Sequence, residues 1–208
     1  MTDDDHDNQT LHDNLAFVRA LVSEGGQAQA SAGKAFITGG LCYGIQCLLQ
    51  WAETMGWLPY GLLGLIIGIA PTAVFTIVLC VILWGDRKNR QEGVATRALN
   101  AAFGSAGLAN MFMVAVFGYN AFLEKSLTVW LFYPVVVCAF QGAVWYIAYM
   151  IRRKLWLAGV SAGWFVTTLG LGLLVHKPQW YVLILGLALL FIMGGSGYGL
   201  MRSARKRG

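Results

Sequence analysis

Formal charge is what this chain has least of. Asp, Glu, Lys and Arg make up 12% of its 208 residues, about half the share usual in soluble domains. An ordinary water-soluble fold is therefore excluded as the main solution. Proline and cysteine are scarce as well, at 4 each, and histidine at 3. Cys42, Cys47, Cys80 and Cys138 form no CxxC pair and have no neighbouring histidine, so their spacing argues against zinc or dithiol chemistry and for small apolar filler. A Gly-rich strand-to-helix loop for phosphate is missing, and so is any specific pairing of a nucleophile with a base. Ser126 and Glu124 near His176 are the nearest approach to one. No enzyme activity, metal or cofactor is expected.

The 57% of hydrophobic residues gather between the few charges. Six runs lack Asp, Glu, Lys and Arg altogether: 35–52, 54–85, 98–123, 126–151, 155–176 and 178–201. Each is long enough to cross a hydrocarbon core of about 30 Å at about 1.5 Å per helical residue. The expected fold is all-α, a polytopic bundle of six transmembrane helices near 35–52, 59–84, 99–122, 127–150, 155–175 and 179–200. Short connections pair them as three hairpins. A secretory signal needs a basic start and an early apolar core; the chain opens on Asp3, Asp4 and Asp5 instead, so the first span is expected to stay as an anchor.

Basic residues orient the bundle. The leader, the 85–98 and 152–154 loops and the tail hold Arg19, Lys34, Arg87, Lys88, Arg90, Arg97, Arg152, Arg153, Lys154, Arg202, Arg205, Lys206 and Arg207. The opposite connections hold only Lys125 and Lys177. The positive-inside rule puts the first set, and both termini, in the cytoplasm. Trp51, Trp57, Tyr60 and Trp180 at one end and Trp84, Trp156 and Tyr198 at the other are placed as interface aromatics. The basic tail is matched to anionic lipid, and nucleic acid is not expected as a partner.

Three parts follow: a cytoplasmic leader at 1–33, the membrane domain at 34–201 and a basic tail at 202–208. Within the leader, 1–10 reads as an acidic unstructured tail. Residues 11–24 read as a short amphipathic helix, with Leu11, Leu15, Val18 and Val22 at helical spacing and Phe17 and Leu21 beside them. Gly25-Gly26 is expected to end that helix, with a flexible stretch over 25–33. This helix is the candidate docking element for a cytoplasmic protein partner, through Leu11, Leu15, Phe17, Val18 and Val22. The run Asn14-Leu15-Ala16-Phe17-Val18-Arg19 before six spans resembles that of a loose group of small bacterial membrane proteins with an N-L-x-F-[IV]-R helix ahead of the first span. The resemblance implies a bacterial inner membrane and no assigned activity.

Inside the spans, small residues recur as Gly40-xxx-Gly44, Ser105-xxx-Ala109 and Gly159-xxx-Gly163, one pair opening each hairpin, and again as Gly64-xxx-Gly68. Such pairs let helices approach closely, and their placement suggests a threefold repeat. Pro71 and Pro134 are expected to kink the second and fourth spans. No ionisable residue lies at a span's midpoint, which argues against a proton relay or a coupled transporter. Polar stripes remain on the odd helices: Gln46, Gln50 and Glu53; Asn110, Asn120 and Glu124; Thr168 and His176. Gln141, one turn before Trp145, adds an amide on the fourth helix. The stripes either glue the bundle by interhelical hydrogen bonds or line an outward-open vestibule between helices 1, 3 and 5. The leading reading is a non-enzymatic interaction or regulatory protein. The alternative is a passive channel or carrier for a small polar or cationic solute. A homo-oligomer is compatible with either.

Overall fold

The computed structural model describes residues 3–59, 61–87 and 94–205, with side chains described for 29–59, 61–87 and 95–205. The described residues are all helix and turn. The helices are α1 (Asp3–Thr54), α2 (Leu62–Asp86), α3 (Val94–Glu124), α4 (Leu127–Arg152), α5 (Leu155–Leu174) and α6 (Pro178–Ala188). The last continues without a break through a π-helical turn, Leu189–Gly194, into α7 (Gly195–Arg205). The expected spans fall inside these helices to within a few residues. Turns between them are short because backbone that bends sharply is found there: Gly56 and Gly61 take positive φ after α1, and Lys125 and Arg153 do so after α3 and α4. Tyr60, residues 88–93 of the expected inner loop and residues 206–208 of the basic tail lie outside the described residues.

One expectation is overturned at the start of the chain. Gly25-Gly26 does not end a helix, 25–33 is not a flexible link, and the acidic run is helical from Asp3 onward. Two mid-helix glycines cost about 1 kcal/mol each relative to alanine. The next residues, Gln27-Ala28-Gln29-Ala30, are good helix formers that offset this, and no proline intervenes. Asp3, Asp4, Asp5 and Asp7 also sit where the helix dipole favours negative charge. At about 1.5 Å per residue, the 52 residues of α1 make a rod of roughly 78 Å, well over twice a hydrocarbon core.

Helix contacts run in the order α2, α1, α6–α7, α5, α4, α3, with the broadest between α4 and α5 and between α1 and the α6–α7 rod. Side chains close the row across its middle. Phe36 of α1 meets Phe103 of α3 and Trp145 of α4 at ring-centroid distances of 5.3 and 5.2 Å. The Tyr181 hydroxyl of α6 donates to the Leu131 carbonyl of α4 at 2.5 Å. Trp145, Trp164, Tyr181, Leu157, Leu171 and Cys138 are the most deeply buried large side chains, and they fill the space between α1, α4, α5 and α6. The four cysteines are free, two of them buried in this core.

Glycine carries the α1 contact with the last rod. A Cβ at Gly40 would stand 2.7 Å from both the Gly194 nitrogen and the Leu189 oxygen, and one at Gly197 2.7 Å from the Gly33 oxygen and the Ile37 nitrogen. The π turn lies at this contact, with Gly40 against its first carbonyl and last amide. The other small-residue pairs behave differently. Gly159 has nothing within 4 Å of its would-be Cβ, and the exposed Ser105 donates to Ala102 of its own helix. Three equivalent repeats are therefore not seen in the packing.

The surface is inverted relative to a soluble protein. Ile67 is the one buried residue of α2, while Leu62, Leu65, Ile69, Ile77 and Val81 are each at least 60% exposed. Apolar area of this extent has no stable place in water. Among the described residues, five helices are long and apolar enough to cross a membrane, consistent with a multi-pass integral membrane protein. Helix α1 is not among the five. Its glycines and amides face protein, on α2 and on α6–α7, and its apolar stripe Leu41, Ile45 and Leu49 is exposed.

Candidate functional site

The polar residues of α1 gather on its face toward α2. Gln46 Nε2 donates to the Gly68 carbonyl at 3.2 Å, and Tyr43 shares a side-chain hydrogen bond with Thr72. Glu53, only 8% exposed, sets its Oε1 2.8 Å from the point where a Cβ at Gly64 would lie. The Gly64-xxx-Gly68 pair thus serves polar side chains: the absent side chain at Gly64 makes room for a carboxylate, and Gly68 lends a carbonyl. Gln50 stands half-buried between Gln46 and Glu53 on the same face.

Other members of the expected vestibule go elsewhere. Asn110 of α3 is hydrogen-bonded to Tyr133 of α4. Asn120 donates back to Val116 of its own helix, and Thr168 to Trp164. Glu124 and His176 are exposed. No extended contact joins α1, α3 and α5 to one another among the described residues. The structure sets Gln46 and Glu53 against α2, places Asn110 against α4, and leaves Asn120, Glu124, Thr168 and His176 apart from both.

Hydrogen-bond accounting singles out what is left over. Gln46 Oε1, Glu53 Oε1, Asn110 Oδ1 and Gln141 Oε1 are buried acceptors without a partner, and the Trp145 and Trp164 indole nitrogens are buried donors without one. Gln141 and Trp145 are one helical turn apart, so their acceptor and donor are complementary. Most buried polar atoms in folded proteins are paired, so these positions are unusual.

A second feature lies at the end of the bundle that carries Arg152. A cavity of about 40 Å³ is lined by Gln29, Thr96, Asn100 and Arg152 at its polar side and by Leu99, Phe103, Trp145, Leu157 and Leu200. That is room for roughly two to four waters. Gln29, 4% exposed, turns its amide against the Arg152 guanidinium, with the oxygen as acceptor. Sequence reasoning missed this site because Gln29 was assigned to a flexible link and Arg152 to topology alone. The available signal was an amide one helical repeat ahead of an apolar face, which only a continuous α1 makes meaningful. Among the described residues no group of His, Cys, Asp and Glu suits a metal ion.

Comparison with family models, with curated proteins and with solved structures finds no match for this chain. The fold alone defines its class: among the described residues, an all-helical protein with helices long and apolar enough to cross a membrane.

Proposed function

We propose that the chain is a six-span protein of the bacterial inner membrane with both termini cytoplasmic, and that its role is non-enzymatic: interaction with, or regulation of, a cytoplasmic protein through residues 11–24. The sixth span in this reading is α1 from about Ala35 to Ala52, whose polar face is covered by α2 and α6–α7. The positive-inside bias of the sequence supplies the orientation, and the N-L-x-F-V-R resemblance supplies the membrane.

The observation that carries the reading is the continuity of α1. Leu11, Leu15, Phe17, Val18 and Val22, whose side chains lie outside the described residues, belong to the same helix as Gly33, Gly40 and Gly44, which are locked to the last rod. A partner bound to the leader would thereby act on the bundle through a stiff connection. Conduction between helices 1, 3 and 5 is less well supported, because Trp145, Trp164, Tyr181 and Leu171 fill the middle of the bundle.

Photo-crosslinking residues placed at Leu15 and Val18 in native membranes test this. A discrete protein adduct at these positions, absent from a control at Leu173 on the exposed face of α5, is the expected result. Absence of any adduct, together with no phenotype on deleting 3–24, would overturn it.

A further inference from the structure

We infer that the cavity between α1, α3 and α4 at the Arg152 end of the bundle binds a phosphate group, free or on a lipid headgroup, through Arg152, Gln29, Thr96 and Asn100. The inference is independent of partner docking. It starts from the sign of what lines the space. Among the described residues, Arg152 is the one formally charged side chain in the wall, and no Asp or Glu belongs to it. The other polar groups are an amide on α1 and a hydroxyl and an amide on α3. Gln29, 4% exposed, gives its oxygen to the guanidinium, which leaves the N–H2 end of the amide as its donor. Each of the four residues can therefore offer N–H or O–H, and the charge among them is positive. Such a wall selects an anion.

Shape narrows the choice. A guanidinium presents a planar fork of N–H donors that matches carboxylate and phosphate oxygens. Here the polar residues come from three helices, so a tetrahedral group with oxygens on several sides uses them better than a flat carboxylate. Room for roughly two to four waters is also room for one phosphate group. Trp145 and Leu157, each 1% exposed, belong to the apolar wall, and low-dielectric surroundings strengthen the attraction. Asn100 is exposed and Arg152 half-buried, so the polar side is the open one. An occupant would also link α1 to α3, which have no extended contact of their own. Binding should therefore stabilise the bundle.

The full-length protein in dodecyl maltoside, a detergent without phosphate, tests the site by thermal unfolding. One arm compares sodium phosphate with sodium chloride at equal ionic strength. The other adds phosphatidylglycerol, whose phosphate is its only headgroup charge, or phosphatidylcholine, whose trimethylammonium opposes that charge. At about ten times its Kd, the occupant should raise the midpoint by about 3–6 °C over its reference. A rise in the first arm alone identifies the free anion, and one in the second alone identifies a lipid headgroup. Rises in both mean that the site accepts either source. The increment should vanish in Arg152→Gln and shrink in Thr96→Val, which deletes a donor at nearly constant volume. It should persist in Arg153→Asn, which removes an exposed neighbouring charge and suits the left-handed backbone there. No rise in either arm would overturn the inference. So would an increment that survives in Arg152→Gln, is undiminished in Thr96→Val, or is lost in Arg153→Asn as a general charge effect. Should Arg152→Gln fail to fold, the other two variants decide.

Discussion

Individual residues in this bundle are constrained by space more than by polarity. Gly40 and Gly159 each open a small-xxx-small pair, yet only Gly40 is pressed against backbone, at 2.7 Å from two main-chain atoms of the last rod. Backbone cannot step aside as a side-chain tip can. Gly40→Ala should therefore cost about 2–3 kcal/mol through overpacking, while Gly159→Ala should stay within about 0.5 kcal/mol. Unfolding in mixed micelles measures both, and equal effects would refute the distinction. Tyr181 makes a complementary case. Its ring is fully buried and its hydroxyl donates to the Leu131 carbonyl, so Tyr181→Phe removes that one hydrogen bond. A loss of about 1 kcal/mol is expected in the same assay. The sequence made Gly40, Gly44 and Gln46 visible as small or polar exceptions in apolar runs. It could not show that Gly159 meets nothing or that Glu53 is buried, because both depend on which helix lies opposite.

Helices were legible wherever a stretch of uncharged residues was bounded by charge or proline. Lys125 and Ser126 separate α3 from α4, and Lys177 with Pro178 opens α6, as spacing predicts. The failure came at Gly25-Gly26, where a local rule about helix ends met flanks that propagate helix well. Pro71 and Pro134 lie inside α2 and α4, each a continuous helix. The continuity of α1 makes a direct prediction. If 25 and 26 are mid-helix, the double variant Gly25→Ala, Gly26→Ala removes two residues that disfavour helix and should slow proteolysis at the junction about tenfold. Were the pair a hinge with left-handed backbone, alanine would strain it and cleavage would be unchanged or faster. Limited digestion of the membrane-inserted protein reads the difference.

At the scale of the whole molecule, the helix order places α1 between α2 and the last rod, and α4 between α3 and α5. Short turns favour neighbours in sequence, which was legible. The union of the first helix with the last was not, because it depends on matched glycines some 150 residues apart. That union puts the basic residues of α7, Arg202 and Arg205, at the same end as Gln29, Arg152 and Arg153, and leaves Lys125 and Lys177 at the other. The membrane potential and the anionic inner leaflet both favour the basic end facing the cytoplasm. In a background with the four native cysteines replaced, Lys177→Cys should react with an impermeant maleimide on intact cells. Arg153→Cys and Arg202→Cys, which are equally exposed, should react only after permeabilisation. Labelling of Arg202→Cys without permeabilisation would reverse the orientation and place the amphipathic leader outside the cell. The proposed docking to a cytoplasmic partner would fall with it.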